Sequence, residues 1–464
     1  MTLNGNTSGN VPESKETVTI TGLGNEGQGV GQLSSGKKVF VPAVLPGEVC
    51  EVAVTTENSR YAEGTCINLL TPSPARILSY GNFVPGADIA HMSYEYALEY
   101  KEDKVLGCLL HIGKLPEETV YSAMKPIIPC EDPLNYRNHM QYRLVAGRLC
   151  LINNITMMAE VPGNSILEYQ VFSALRDCLE KVFANAPTNL FEEVVMRGSL
   201  RTREVLVGFV SGNTDAHEVI IGNVQKYVSS TSLIHELEEA CRTEGFRLAG
   251  VTLRISATAA DKRTRGGTRM LLSGNDYYEE ILLGHKFRVH MGSFFQVNIP
   301  QAEVLYKCAS EFTRDAASLL DLYCGAGTIG LSVLSPGQKL TGLDTVADAI
   351  RGAKENAQLN GVPNASFILK PAEDIDFTSV SASMPSPLTV IVDPPRKGLA
   401  DALIRKLLSF RPGKICYISC DPATLARDIS QLAGSGSYAL TSVQPVDMFP
   451  WTHHVEVVAH LTAV

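Results

Sequence analysis

The sequence predicts a multidomain α/β protein with a small N-terminal β-barrel, a central α+β domain and a C-terminal α/β domain built on a parallel sheet. Short glycine-punctuated strands at 15–71 predict the barrel, and regular strand–helix alternation from residue 291 predicts the C-terminal sheet. A chain of 464 residues is long enough for about three domains. We therefore expect a flexible tail at 1–14, the barrel at 15–71, the central domain at 72–290 and the C-terminal domain at 291–464.

The barrel is predicted by three runs in which apolar and polar residues alternate, namely Thr17–Thr21, Lys38–Val44 and Val49–Thr55. Turn signals separate these runs at Gly24–Gly27 and Leu45–Gly47. Alternation with a period of two turns one face of each strand inward, and short strands at this spacing favour closure into a small barrel. Such barrels often bind oligonucleotides, although the pattern alone does not require it.

The central region mixes helices and strands. Residues 91–113 have helical periodicity with mixed charge, and Ile166–Ala184 has the pattern of an amphipathic helix. Tyr142–Leu151 and Val205–Val210 are expected to be strands. This mixture indicates one α+β domain.

The C-terminal region alternates strands with helices, which predicts a parallel sheet with helices on both faces. The expected helices are Gln301–Ala316, Thr328–Leu334 and Ala347–Asn360. The expected strands are Ser318–Tyr323, Lys339–Leu343, Ala365–Leu369, Leu388–Val392 and Lys414–Ser419. Parallel strands deliver their following loops to one edge of the sheet, which is where open α/β sheets build their sites.

The composition restricts the class of protein. Eleven cysteines without a CxxC pair argue against zinc and a disulfide framework, so we expect no metal and a reducing cytoplasm. The polar first residues predict no secretion signal, and the apolar runs are too short to span a bilayer, so no membrane partner is expected.

The formal net charge of −9 by itself argues against nucleic acid. Basic residues nevertheless cluster in the middle of the chain, a pattern that also fits an ordinary solvated face. The clustered residues are Arg137, His139, Arg143, Arg148, Arg197, Arg201, Arg203, Arg254, Lys262, Arg263, Arg265 and Arg269.

A glycine motif follows the first C-terminal strand. Gly325, Gly327 and Gly330 match GxGxxG, and Asp344 ends the next strand, as an acid that binds ribose hydroxyls would. This pattern is shared by nicotinamide and S-adenosylmethionine enzymes, and a plain strand-to-helix turn also satisfies it. Asp393 discriminates better, because it ends a strand and precedes two prolines, which make a rigid loop lacking two backbone donors. Such a loop suits a flat substrate beside a cofactor.

Cys420 lies where the strand Lys414–Ser419 gives way to a helix, so we expect an exposed thiol with a lowered pKa, although a lone cysteine is also often a buried core residue. A soft thiolate adds to the electron-poor carbon 6 of uracil, which makes carbon 5 a nucleophile for a methyl group. A base must then remove the carbon 5 proton. Glu456 is the candidate, because its apolar neighbours should raise its pKa; a strand-edge charge is the alternative.

Five motifs together resemble the RNA uracil-5-methyltransferase family, in the order in which they occur there. The motifs are GSFFQVN (292–298), DLYCGAGTIGL (321–331), VDPPRKG (392–398), SCDPATLARD (419–428) and HVE (454–456). The front end, from GNEGQGVGQ onward, is similar to the OB-like TRAM domain of many ribosomal members. The resemblance implies a Rossmann-like S-adenosylmethionine methyltransferase domain and an RNA substrate.

The same resemblance implies roles for individual residues. Cys420 would be the nucleophile and Glu456 the base. The residues expected to contact S-adenosylmethionine or to shape its site are Gln296, Tyr323, Asp344 and Asp393. Tyr136–Asn138 resembles a motif near RNA. The target base must leave its stack to reach Cys420, and the barrel and central domain would hold the surrounding RNA through its phosphates.

One departure from the family concerns iron. Many ribosomal members carry a cysteine cluster that holds a [4Fe–4S] centre, whereas residues 79–101 here contain no cysteine. We therefore expect no cluster, its role being taken by packing or by a different RNA contact. We expect 23S rRNA rather than tRNA because of the front barrel, and no obligate protein partner. The competing hypotheses are a tRNA uridine-5 methyltransferase, a nicotinamide oxidoreductase and a non-catalytic RNA-binding protein.

Overall fold

The computed structural model describes residues 15–77, 86–153, 158–162, 165–184, 190–212, 217–256 and 266–464. The predicted tail at 1–14 and three of the predicted basic residues, Lys262, Arg263 and Arg265, lie outside these ranges. The chain packs into two compact units, Met1–Lys104 with Trp451–His454, and Val105–Pro450 with Val455–Val464. No helix of the described part is long and apolar enough to cross a membrane.

The first unit contains a closed five-stranded barrel with the strand order β1-β2-β3-β5-β4. The strands are β1 (Lys15–Leu23), β2 (Gly29–Gln32), β3 (Lys38–Val41), β4 (Val49–Glu57) and β5 (Tyr61–Thr71). β4 pairs with β1 and closes the barrel, and only β3 and β5 run parallel. Alternate residues such as Val18, Ile20 and Val52 fill its core, which follows from the period-two pattern of the sequence. The predicted barrel is therefore confirmed.

A second sheet has seven strands in the order β12-β11-β10-β9-β6-β7-β8. The elements from residue 94 to residue 290 are α1 (Tyr94–Gly107), a π-helical turn (Cys108–Ile112), α2 (Glu117–Ala123), β6 (His139–Val145), β7 (Arg148–Ile152), β8 (Ala159–Glu160), α3 (Gln170–Phe183), β9 (Glu193–Ser199), β10 (Glu204–Ser211), α4 (His217–Ser230), α5 (Leu233–Thr243), β11 (Arg247–Ile255), β12 (Thr268–Gly274), β13 (Tyr277–Leu282) and β14 (His285–His290). We call β6–β12 the central sheet. Its strands pair antiparallel except β10 with β11, and β13 and β14 form a separate hairpin.

Two sequence predictions in this region were wrong in detail. Tyr142–Leu151 is not one strand but the β6–β7 hairpin, because Ala146 and Gly147 adopt positive φ angles of 48° and 77° and turn the chain back. The helix predicted from Ile166 begins only at Gln170, because Glu168 is held in a bridge with Arg137. Both deviations are set by local pairings that hydrophobic periodicity does not reveal.

The C-terminal sheet also has seven strands, in the order β17-β16-β15-β18-β19-β21-β20. Its elements are α6 (Ile299–Thr313), β15 (Ser318–Leu322), α7 (Thr328–Val333), β16 (Lys339–Asp344), α8 (Ala347–Leu359), β17 (Ala365–Leu369), a 3-10 turn (Ala372–Asp374), α9 (Phe377–Ser383), β18 (Leu388–Val392), α10 (Asp401–Phe410), β19 (Lys414–Ser419), α11 (Pro422–Gly434), β20 (Tyr438–Val446) and β21 (Glu456–Ala463). The prediction of a parallel sheet is confirmed for the five predicted strands, β15 to β19. The two further strands differ, because β21 runs antiparallel to β19 and β20. No helix separates β20 from β21, and a short connection permits only antiparallel pairing.

The C-terminal sheet is covered on both faces. Leu320 and Leu322 of β15 pack into one apolar cluster, whereas Leu319 packs into another on the opposite side. β15, β18 and β19 run parallel, so their carboxyl ends reach one edge. The predicted fold class, a barrel followed by α+β and α/β regions, is confirmed, and this edge is where the sequence places its motifs.

Candidate active site

The nucleophile and base candidates lie side by side at the edge of the C-terminal sheet. Ser419, the last residue of β19, pairs with Val457 of the antiparallel strand β21. Cys420 directly follows Ser419, and Glu456 directly precedes Val457, so the same register makes Cys420 and Glu456 neighbours. One antiparallel pairing thus brings together Cys420 and Glu456, which are 36 positions apart in the sequence.

The Cys420 thiol differs from the sequence expectation. It is partly exposed, but burial raises its pKa to about 12, and the charges of Glu456 and Asp393 act in the same direction while Arg396 opposes them. The helix amides that were expected to lower this pKa are occupied, because the Asp421 carboxylate caps α11 by accepting from the backbone N–H groups of Ala423 and Thr424. Without a bound partner, Cys420 is therefore a thiol rather than a thiolate.

Glu456 and Asp393 are both biased toward their protonated forms. Glu456 is only 5% exposed, and burial followed by the charge of Asp393 raises its pKa well above the ordinary value. Burial also raises the pKa of Asp393 to about 7. The charge of Arg396 lowers the pKa of Glu456, so one guanidinium influences both the acid and the thiol. Cys420, Glu456 and Asp393 thus form a cluster of groups at this edge whose pKa values are all raised.

The proline loop that carries Asp393 is held by the helix that follows Cys420. Thr424 Oγ1 donates to the Arg396 carbonyl at 3.2 Å, and the Asp428 carboxylate accepts from the Leu399 N–H at 2.7 Å. Gly398 has a φ of +74°, and a Cβ there would lie 2.5 Å from Asp428 Oδ2, so a side chain cannot be accommodated. The loop and α11 consequently form one rigid piece.

The glycine loop is ordered by Asp344. Its carboxylate accepts from the Gly325 N–H at 2.9 Å and from the Val346 N–H at 2.8 Å. Gly325 has a φ of +54°, and the space where its Cβ would lie is open, which leaves room for a ligand close to the backbone. Tyr323 also has a positive φ, 67°, and its hydroxyl donates to Glu373 at 2.9 Å. Asp344 thus orients the loop, while the Tyr323 hydroxyl is directed to Glu373.

Asp321 is a site residue that the sequence analysis did not single out. It is fully buried in β15, and burial raises its pKa to about 8, with the charges of Asp393 and Asp344 adding to the effect. Its Oδ2 accepts from the Gly330 N–H at 3.0 Å, whereas its Oδ1 has no hydrogen-bond partner among the described residues. A carboxylate inside the apolar run SLLDLY was the available signal, because buried acids are rare without a partner.

Gln296 lies in a segment that the central sheet holds in place. Its backbone carbonyl accepts from Asn138 Nδ2 at 2.9 Å, and its side chain contacts the buried hydroxyl of Tyr306. Fully buried Arg197 of β9 donates through Nη1 to the carbonyls of His290 (3.0 Å), Met291 (3.3 Å) and Ser293 (2.6 Å). We call residues 290–297 the bridging segment. Neither Arg197 nor Tyr306 belongs to a motif, so sequence reasoning noted Arg197 only within a basic cluster and did not single out Tyr306.

Metal-binding features are absent from the described residues, where no group of three or more His, Cys, Asp or Glu side chains is placed to hold an ion. Residues 79–85, part of the segment in which family members carry iron–sulfur cysteines, lie outside the described ranges. The expected lack of an iron–sulfur cluster therefore stays a prediction based on the sequence.

Comparison with known proteins identifies the chain. A model of the tRNA (Uracil-5-)-methyltransferase family matches residues 235–464, and a TRAM domain model matches residues 13–67. An uncharacterized RNA methyltransferase from Caldanaerobacter subterraneus is 33% identical over 454 residues, covering 96% of this chain and 97% of the relative. This chain belongs to the RNA uracil-5-methyltransferase family. A Clostridium tetani relative, also described as an uncharacterized RNA methyltransferase, is 33% identical over 466 residues, 97% of this chain and 96% of its own.

Among solved structures, the Pyrococcus abyssi tRNA (uracil-54, C5)-methyltransferase in complex with S-adenosyl-L-homocysteine has the same fold, with a TM-score of 0.71. It is 24% identical and covers 96% of this chain and 100% of its own. Membership of an RNA uracil-5-methyltransferase family makes the chain an RNA methyltransferase and removes the nicotinamide oxidoreductase and non-catalytic hypotheses.

Proposed function

We propose that this enzyme methylates carbon 5 of a uridine in RNA, with Cys420 as the nucleophile and Glu456 as the base. The observation that carries the proposal is the register of the β19–β21 pair, which makes the Cys420 thiol and the Glu456 carboxyl group neighbours. A thiol that adds to carbon 6 and a carboxylate that takes a proton from carbon 5 must lie close together, because the two ring carbons are bonded to each other.

In our proposal S-adenosylmethionine binds at the glycine loop. The open space at Gly325 allows close approach of a nucleoside to the backbone. Asp344 and Tyr323 then shape the ribose side of the cofactor site, while Gln296 and Asp393 lie toward the reacting end. S-adenosylmethionine supplies the methyl group and carries a sulfonium charge.

In the proposed mechanism, Asp393 accepts the proton of the Cys420 thiol and Glu456 accepts the proton of carbon 5. Asp393, with a pKa of about 7, is partly ionised at neutral pH and can accept the proton of the Cys420 thiol. The sulfur then bonds to carbon 6, and carbon 5 takes the methyl group. Glu456 must be ionised to remove the carbon 5 proton, and the charge of Arg396 favours that form because it lowers the pKa of Glu456. The C–H electrons restore the ring double bond, the bond from sulfur to carbon 6 breaks, and Cys420 leaves as a thiolate.

The proposal is tested with RNA that contains 5-fluorouridine. Fluorine cannot be removed as a proton, so the reaction stops at the covalent adduct, which a denaturing gel detects as an RNA-shifted protein band. We expect the band with the parent protein and with Cys416→Ala, a matched cysteine buried in the same strand, and no band with Cys420→Ala. Absence of a band from the parent protein with both rRNA and tRNA would contradict the covalent mechanism.

The proposed substrate is 23S rRNA, with tRNA as the direct competitor. A front barrel does not separate these substrates by itself, because the archaeal tRNA enzyme aligns over 96% of this chain. The same gel decides between them when fluorouridine-substituted 23S rRNA and tRNA are offered separately at equal concentration. A band with tRNA alone would overturn the rRNA assignment and leave the chemistry intact.

A further inference from the structure

A cleft of about 790 Å³ lies beside the candidate active site in the larger unit. One wall is formed by strands of the central sheet, including Thr252 of β11 and Leu271 of β12. The bridging segment forms another part of the lining, and Asp348 and Arg351 near the start of α8 complete it. This volume lies within the range of about 300–1,000 Å³ that is typical of small-ligand sites.

The cleft is separate from the catalytic cluster but shares a wall with it. None of the six predicted site residues lines it. Phe295 and Val297 face the cleft, whereas the side chain of Gln296 between them contacts Tyr306. The bridging segment therefore has one side toward the cleft and the other toward the proposed methyl-transfer site.

The lining has the chemistry of a nucleotide site. Phe294 is 74% exposed and Leu271 is 48% exposed, so apolar surface is available where a base can stack. Arg269 and Arg351 both contact Asp348, at 3.5 Å and 2.9 Å. The whole lining contains three arginines, Arg254, Arg269 and Arg351, and two carboxylates, Asp276 and Asp348. One excess positive charge remains, which favours a phosphate in a protein whose net charge is −9.

We propose that this cleft binds an unpaired nucleotide of the substrate RNA, close in sequence to the target uridine. The inference rests on the proposed function, because the shared wall matters only if a uridine occupies the other side. An RNA strand that passes over the bridging segment can place the target base at Cys420 and a neighbouring base in the cleft. The enzyme then recognises an unstacked pair of nucleotides rather than one extruded base.

The test is a binding measurement that does not depend on catalysis. A fluorescein-labelled 12-nucleotide single-stranded RNA, and the same RNA annealed to its complement, are titrated with protein at fixed salt and followed by fluorescence anisotropy. We expect Leu271→Glu to weaken single-strand binding about tenfold, because apolar contact with the base is lost and a phosphate is repelled. Duplex binding should change less than twofold, since a paired base cannot enter.

Val219→Glu is the matched control. Val219 is 51% exposed on α4 of the same unit, does not line the cleft, and undergoes the same change of charge. Equal losses in the two variants, or an equal loss for duplex RNA, would show a general charge effect and overturn the proposal. Loss of binding of uridine monophosphate in Leu271→Glu, with RNA binding unchanged, would overturn it in favour of a free nucleotide.

The fluorouridine gel separates this proposal from the proposed function. If the parent protein forms the adduct and Leu271→Glu binds single-stranded RNA normally, only the cleft proposal fails. If the parent protein forms no adduct while the single-strand defect of Leu271→Glu is found, the methyl-transfer mechanism fails and the binding site stands.

Discussion

The two seven-stranded sheets of the larger unit differ in strand direction, and their roles differ accordingly. In the central sheet, neighbouring strands alternate in direction except β10 and β11, so successive strand ends leave from opposite edges. In the C-terminal sheet, β15, β18 and β19 run parallel and deliver Tyr323, Asp393 and Cys420 to one edge. The parallel sheet thus concentrates reactive groups, whereas the central sheet acts through the bridging segment that Arg197 and Asn138 hold.

The largest expected effect comes from a conservative change at the reactive edge. Glu456→Gln removes the proposed base but preserves the shape of the side chain, so turnover on ordinary uridine RNA should fall by about 10²–10⁴-fold. The methylated adduct should accumulate, because carbon 5 keeps its proton. Methyl incorporation and a denaturing gel measure the two effects.

Glu280→Gln is the control for that change. Glu280 is a fully buried glutamate of β13 whose pKa burial raises to about 7, and it accepts a hydrogen bond from Ser199. It lies away from the reactive edge, so we expect near-parental turnover. Similar turnover in Glu280→Gln and Glu456→Gln would remove the distinction between the two regions.

A smaller effect is expected where the central sheet supports the site. Arg197→Lys keeps the charge but replaces a planar group that donates to three carbonyls, so the bridging segment should shift. We expect kcat to fall about tenfold, or ~1.4 kcal/mol in transition-state stabilisation, because Gln296 moves with that segment. Steady-state kinetics in both substrates measure it.

Arg203→Lys is the matched control for Arg197→Lys. Arg203 is exposed at the β9–β10 turn and stacks on Phe246, so its replacement should leave kcat unchanged. If Arg197→Lys only lowered the stability of the fold and kcat per folded molecule equalled the parent value, Arg197 would have a purely structural role.

The last prediction concerns the stability of the fold rather than turnover, at Asp321. Burial raises the pKa of this carboxyl to about 8, so between pH 4 and pH 8 the folded state keeps a proton that the unfolded state has lost. Stability therefore decreases as pH rises through this window, by up to about 1.4 kcal/mol per pH unit for one proton. Asp321→Asn should flatten that slope in urea unfolding at pH 5 and pH 8. An unchanged slope would show that Asp321 does not titrate there.

Motifs made the reactive edge predictable. Cys420, Asp393 and the glycine loop each follow an apolar run, so their meeting at one edge could be expected from parallel topology. The charge states of these groups could not be predicted from the sequence. The pKa of Cys420 is raised rather than lowered because Asp421 occupies the helix amides and two carboxyl groups lie nearby, and neither fact is visible in a strand–turn–helix pattern.

The supporting residues were beyond sequence reasoning for a different reason. Arg197 appeared in a basic cluster and was considered for RNA, yet it is fully buried and binds backbone carbonyls. Asn138 was expected near RNA, and the structure adds that its amide donates to the Gln296 carbonyl. Contacts with backbone atoms far along the chain leave no periodic or compositional trace, so only the folded structure reveals them.

The position of β21 has a consequence for how the enzyme becomes active. This strand lies between β19 and β20, so β20 reaches the sheet only through a strand that follows it in the chain. Such insertion joins segments distant in sequence, and loop-closure entropy makes pairings of this kind slow to form. Glu456 reaches Cys420 in that same pairing. The assembly of the proposed catalytic pair is therefore coupled to completion of the sheet, and in a partly folded chain Cys420 lacks Glu456 as its neighbour.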